Sequence, residues 1–207
     1  MADAVVVLAT RNPHKVDEIR DAFHVPGVTF TSMDEFPHVP ETVEDGDTFE
    51  ANARKKAREV CAATGLAALA DDSGLVVDAL GGEPGVRSAR FAGEDADDAA
   101  NRALLVQRIR DVPEEQRTAR FVCVLALALP GDLEMVVAGE CSGRILTEER
   151  GDGGFGYDPL FVADSTQRTF AEMSRREKAA LSHRGRALVN AQDAMGRLLR
   201  EWAGRLA

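Results

Sequence analysis

The chain is poor in lysine, cysteine and aromatic residues. Of its 25 basic residues, 21 are arginine and only four are lysine: Lys15, Lys55, Lys56 and Lys178. Its three cysteines, Cys61, Cys123 and Cys141, are odd in number and far apart. With no CxxC and no His-x-x-x-His spacing, neither a zinc framework nor a disulfide scaffold is expected, and a reduced, cytoplasmic compartment follows as the default. Long apolar runs are also missing. The longest, Val122 to Leu129, falls far short of the roughly 20 residues of a membrane-spanning helix. The apolar run from Ala4 to Ala9 is too short for a signal peptide and has no basic region before it. Overall positive charge is lacking too: the net charge is −10 and the pI about 4.9. Such a field repels nucleic-acid polymers and anionic membranes, so neither is an expected partner. There is no GxxxxGK[ST] and no GxSxG, which removes the P-loop and the serine-hydrolase elbow.

What is present suits an ordinary soluble globular chain. Its 207 residues, 44% hydrophobic and 29% charged, can bury a core without staples, and one domain over 1–207 is expected. Within an acidic body, the informative question is where the cations sit. In an arginine-rich chain, a lysine marks a place where a compact charge serves better than a planar fork, such as a tight phosphate pocket. Chance placement of four exposed lysines is the competing explanation.

Residues 4–9 read as a buried strand, followed by the polar turn Thr10-Arg11-Asn12-Pro13-His14-Lys15 and a helix to about Phe23. A strand, polar turn and helix form a ready anion site, because the helix N-terminus presents free N–H groups and a positive dipole end. Asn12 as N-cap and Pro13 at the first helical position fit ordinary helix grammar as well, and the two readings are compatible. Residues 28–31 suggest a short strand and 37–47 an acidic surface loop. A second helix is expected over Asp47–Ala63, capped by Asp47 or Thr48, with Asn52 and Lys56 four apart on one face. Lys55 points elsewhere. Leu66–Ala70 reads as a strand running into Asp71-Asp72-Ser73-Gly74. Carboxylates at a strand end suit Mg²⁺ and a nucleotide, and an Asx-type turn closing a hairpin suits them equally.

Further on, Gly81–Gly93 reads as a glycine-rich loop and 95–110 as a helix. Strands near 119–129 and 135–145 pair as a hairpin through Pro130-Gly131-Asp132. Gly151-x-Gly153-x-x-Gly156 matches GxGxxG formally, but no long strand leads in and Pro159 follows where the helix should run. That loop instead carries Phe155 and Tyr157, either stacked on a base or tucked into the core. After a short strand at Leu160–Val162, a helical stretch over 175–202 breaks near Ser182–Gly185. Ser182-His183-Arg184 beside Lys178 offers donors for keto oxygens, or simply an exposed basic helix break.

Five segments occur together: LATRNPHK (8–15), TFEANARKKA (48–57), ADDSGLVVDALGGEPGVRSARFAGEDA (70–96), GGFGYDPLF (153–161) and EKAALSHRGRAL (177–188). In this order they resemble the non-canonical purine nucleoside triphosphate pyrophosphatases, the inosine triphosphatase-like enzymes, over almost the whole chain. The resemblance implies an α/β fold, a long twisted mixed β-sheet flanked by helices, with two lobes around a nucleotide cleft. It implies hydrolysis of ITP, dITP and XTP to the monophosphate and pyrophosphate with Mg²⁺, and a homodimer. Thr10, Arg11, Asn12, Pro13, His14 and Lys15, with Asn52 and Lys56, would hold the triphosphate. Glu44 and Asp72 would bind the metal, Asp72 would also be the general base, and Ser73 would touch substrate. Phe155, Gly156, Tyr157, Asp158, Lys178, His183 and Arg184 would form the base pocket. A non-catalytic nucleotide-binding regulator and a pyrophosphatase of modified pyrimidine nucleotides are the alternatives.

Overall fold

The computed structural model describes residues 4–131 and 133–206. The strands are β1 (Ala4–Leu8), β2 (Val28–Ser32), β3 (Ala67–Val77), β4 (Thr118–Leu129), β5 (Leu133–Ile145) and β6 (Phe161–Ala163). The helices are α1 (Pro13–Ala22), α2 (Phe49–Thr64), α3 (Asp98–Ile109), α4 (Arg175–Leu181) and α5 (His183–Leu206). The strands form one sheet in the order β2-β1-β3-β4-β5-β6. β1 runs parallel to β2 and β3, while β5 and β6 are antiparallel, so the sheet is mixed as expected. No described helix is long and apolar enough to cross a membrane.

The chain divides into two compact units. The first holds the chain through Asp72, Cys123–Gly139 and the residues from Arg186 on. Its core joins Val6 and Leu8 of β1, Val16 and Ile19 of α1, and Cys123, Leu125 and Leu127 of β4. α5 covers this core with Ala187, Ala191, Met195 and Leu199, a four-residue repeat that keeps one helical stripe apolar. The second unit holds Ser73–Val122 and Glu140–Gly185. It packs Leu75 and Val77 of β3 with Leu105 and Ile109 of α3 around Phe121, Phe161 and Phe170. The Phe121 and Phe161 rings lie 4.8 Å apart, and Phe161 and Phe170 lie 5.0 Å apart, within the range where aromatic pairs attract beyond simple burial.

Three sequence expectations need correction. Asp71-Asp72-Ser73-Gly74 does not close a strand: β3 continues unbroken to Val77. Charged residues persist inside this buried strand because both carboxylates find partners. Gly81–Gly93 is not an open loop. It carries 3-10 turns at Asp78–Leu80 and Gly85–Arg90, with Ser88 Oγ accepting from Leu75 N (2.8 Å) to hold the segment against β3. The C-terminal helical break is confined to Ser182, whose extended backbone ends α4, and His183–Gly185 already belong to α5. Gly185 permits this abrupt restart, since a Cβ there would collide with the Ala179 carbonyl. The expected hairpin connects β4 and β5, which are neighbours in the sheet; of its turn, Asp132 lies outside the described residues.

Candidate active site

In the first unit, the turn after β1 is built by its own polar side chains. Asn12 Oδ1 accepts from the amides of His14 (2.9 Å) and Lys15 (3.3 Å), and Thr10 Oγ1 accepts from Asn12 N (3.1 Å). Pro13 occupies the first helical turn, where its missing N–H costs nothing. Arg11 donates to the carbonyls of Met33 (3.2 Å) and Val39 (2.8 Å), so its guanidinium ties down the segment after β2. His14 is exposed. The cap aligns α1 so that Lys15 Nζ meets Asp71 Oδ1 of β3 at 2.7 Å. Asp71 is only 1% exposed, and its other oxygen accepts from the Cys123 thiol of β4 (3.1 Å).

α2 approaches the same acids. Thr48 is its N-cap, accepting from Ala51 N (3.1 Å). Asn52 and Lys56 are both buried on one face, as the spacing predicts. Lys56 Nζ donates to Glu44 Oε1 (2.9 Å), Asp72 Oδ1 (3.1 Å) and the Asp71 carbonyl (2.9 Å). Lys55 turns away to the exposed Asp45 (2.6 Å). Asn52 Oδ1 accepts from Gly46 N (2.8 Å), which fastens the acidic loop to the helix.

Of the buried polar atoms without a hydrogen-bond partner among the described residues, two lie in this cluster: Asn52 Nδ2, a donor, and Asp72 Oδ2, an acceptor. Each leaves a desolvation cost that a bound group could relieve. Burial raises the Asp72 carboxyl above its ordinary value of 3.8, and the Glu44 charge adds to this against the opposing pull of Lys56 and Lys15. Burial alone would lower the Lys56 ammonium. The charges of Asp72, Glu44 and Asp71 together overcome it and hold Lys56 protonated.

A second cluster lies in the other unit, on the glycine loop before β6 and on α4 and α5. Asp158 Oδ2 accepts from Phe155 N (3.0 Å) and from Lys178 Nζ (2.6 Å). Lys178 Nζ sits 4.5 Å from the centre of the Phe155 ring, and the Arg184 guanidinium 5.8 Å from it. Arg184 is 1% exposed and donates to Ser73 Oγ (2.8 Å). The basic residues at the helix break are therefore buried. His183 stacks on Phe121 at 4.6 Å and 11°. Gly154 has a φ of +73°, and a Cβ there would strike the Asp158 carboxylate, so glycine lets Asp158 fold back under its own loop. Tyr157 lies in the core, its hydroxyl donating to the Ser88 carbonyl (2.8 Å), and burial pushes its phenol well above 10. Gly156 stands next to Phe155 on this loop with a φ of +59°.

The structure thus gathers Lys15, Asn52, Lys56, Asp72 and Glu44 in one cluster. Phe155, Asp158, Lys178, His183, Arg184 and Ser73 gather in the other. Sequence reasoning did not single out Asp71 or Cys123 as site residues. Asp71 was legible as a second acid beside Asp72, whereas a cysteine in an apolar strand reads only as core.

The Ham1 family pattern matches residues 6–194. The dITP/XTP pyrophosphatase of Exiguobacterium sibiricum is 50% identical over 196 residues, covering 95% of this chain and 99% of that protein. The enzyme of the same name from Geobacter sulfurreducens is 52% identical over 193 residues, covering 92% and 96%. Among solved structures, a HAM1 protein from Coxiella burnetii superposes with a TM-score of 0.85 at 40% identity, covering 96% of this chain and 99% of that one. With the family pattern over residues 6–194 and relatives matched over nearly their whole length, the chain belongs to the Ham1 family.

Proposed function

We propose that this chain is a nucleoside triphosphate pyrophosphatase that hydrolyses non-canonical purine nucleotides, dITP, ITP and XTP, to the monophosphate and pyrophosphate. The observation that carries the reading is the meeting of Lys15 and Lys56 with Asp71, Asp72 and Glu44, with one Asp72 oxygen left unsatisfied. In an acidic protein, this is where a polyphosphate finds compact cations. The names of the relatives agree with the activity.

Lys15, Lys56, the turn Thr10–Lys15 and Asn52 Nδ2 hold the triphosphate. Negative charge moves onto the departing pyrophosphate as the bond between the α-phosphorus and its bridging oxygen breaks, and the two ammonium groups offset it. Asp72 takes the proton of the attacking water. Burial, which raises its carboxyl above 3.8, makes it a stronger base than an ordinary aspartate.

The donor set also fits Mg²⁺. The described residues include no group of three ligating side chains, and Mg²⁺ is usually held by one or two carboxylates with waters and substrate phosphates. Glu44 and Asp72 would hold it, and Asp72 Oδ2 is a buried acceptor awaiting a partner. When bound, the ion neutralises part of the triphosphate charge.

The second cluster reads the base. Hypoxanthine and xanthine present a 6-keto acceptor where adenine presents an amine, so donors such as Arg184 and Lys178 match the keto oxygen and meet a like donor in adenine. Mismatches of this kind in a polar site discriminate by about 10⁴. Phe155 supplies a stacking face. We assign the enzyme to the cytoplasm and to a homodimer, the latter to be read by light scattering as twice the 22.3 kDa chain mass.

A product-resolved nucleotide panel tests the whole reading. ITP, dITP and XTP with Mg²⁺ should yield pyrophosphate in preference to ATP and to modified pyrimidine nucleotides. Release of orthophosphate alone, or tight binding of ITP without turnover, would overturn it.

A further inference from the structure

Two side chains outside both clusters grip the glycine loop, and a third, Glu149, bonds to one of them. Asp98 and Arg102 lie four apart on α3, on the same helix face. Asp98 Oδ2 accepts from Gly156 N at 2.7 Å, and Arg102 Nη1 donates to Gly156 O at 3.0 Å. Both polar atoms of one peptide-bearing residue are thus held from the same helix. Arg102 Nε also donates to Glu149 Oε1 at 2.9 Å. One guanidinium therefore fastens the loop on either side of Gly151, Gly153 and Gly154.

The restraint has a visible purpose. Gly151, Gly154 and Gly156 all adopt positive φ, and such a loop has many conformations to lose on ordering. Phe155 follows and precedes glycine, so its ring direction depends on how that backbone is held. The Phe155 amide donates to Asp158, which also receives Lys178. Rotation at Gly156 would shift the Phe155 ring relative to the Lys178 ammonium, which is carried separately by α4.

We propose that Asp98 and Arg102, with Glu149, are positioning residues for base selection: they lock the Gly156 peptide and so fix the Phe155 ring against Lys178 and Arg184. This rests on the pyrophosphatase reading for its substrate and on the structure alone for its mechanics. Neither residue touches the lysines or acids assigned to the phosphates. Their loss should therefore alter which base is accepted and leave the turnover of bound substrate alone.

Hydrogen exchange of the ligand-free protein reads the mechanics. In Asp98→Ala and Arg102→Ala, the amides of Phe155 and Gly156 should exchange about tenfold faster than in the parent protein, as expected for loss of a hydrogen bond to a charged group. Arg108→Ala, on the same helix but paired with the exposed Glu83, should leave them unchanged. Steady-state kinetics reads the selection. KM for ITP should rise about tenfold in both variants with kcat nearly intact, and the preference for ITP over ATP should fall by a similar factor. Arg102→Lys keeps a cation for Glu149 but not the fork, and stands in should either alanine variant fail to fold; it should show the same changes in smaller measure. Unchanged exchange at Gly156, or faster exchange with unaltered KM and base preference, overturns the proposal. A parent protein that does not turn over ITP overturns the pyrophosphatase reading instead, and the exchange result then decides the loop restraint by itself.

Discussion

Lys56 and Lys55 are neighbours in sequence and opposites in role. Lys56 is 7% exposed and shared by two carboxylates, while Lys55 answers a single exposed acid. Removing one partner of a buried ionic cluster costs about 3–5 kcal/mol, and an exposed pair contributes about 0–1 kcal/mol. Lys56→Ala should therefore lower both the urea midpoint and ITP turnover sharply, and Lys55→Ala should change neither by more than a small fraction. Asp72 invites a second comparison. Its folded pKa is raised by burial, so its contribution to stability is present below 3.8 and is lost as pH rises through the folded value. Ionised Asp72 is thus a stability cost kept for chemistry. Asp72→Asn should match or exceed the parent's unfolding midpoint at pH 7 while losing about 10²–10⁴ in kcat. The parent's kcat/KM should fall on the acid side at a pH above that of an ordinary aspartate. At this scale, the Asn52–Lys56 face was legible because helical spacing alone fixes it. The Cys123–Asp71 contact was not, because it joins residues 52 positions apart that nothing local connects.

The first two helix starts were the most legible elements, since each carries its own chemistry: Asn12 and Thr48 both bond the amides they precede, whereas Asp97, the cap of α3, was not read from the sequence. α4 is the shortest helix and the one that presents Lys178. It begins with a reciprocal box in which Ser174 Oγ accepts from Glu177 N and the Glu177 carboxylate accepts from Ser174 N. Ser174→Ala should destabilise the protein by about 1 kcal/mol, measured by denaturant titration. The Arg168 hydrogen bond, with the Ser174 amide and hydroxyl, lowers Glu177 from 4.5 to about 2. Its stabilising contribution is therefore present above 4.5 and lost as pH falls through about 2. The stability gap between the parent and Glu177→Gln should close over that interval. The least legible element was β3. Adjacent aspartates read as a strand end, because local propensity disfavours acids in strands. Their partners on α1, α2 and β4 reverse that preference, and none of those partners is near in sequence.

For the molecule as a whole, a charge of −10 and a pair of lysines among buried acids set the terms of ligand binding. A divalent cation that binds only the folded state stabilises it by about 2.7 kcal/mol at a hundredfold excess over its dissociation constant. Mg²⁺ should raise the thermal midpoint of the parent protein and fail to do so in Asp72→Asn, as calorimetry would report. Composition and charge make membranes and polynucleotides unexpected partners. They were silent on the division of the chain at Asp72 and Ser73, because that division depends on which distant strands pack together. β3 has one last implication, for what kinds of sequence change this protein can survive. Successive strand residues face opposite ways, so Asp71 meets Lys15 and Cys123 while Asp72 meets Lys56. Inserting or deleting one residue within Ala67–Asp71 would exchange those directions for everything after it. Length variation among functional descendants should thus collect in connecting segments such as 37–47 and leave this stretch of strand untouched, a pattern that saturation insertion libraries would expose.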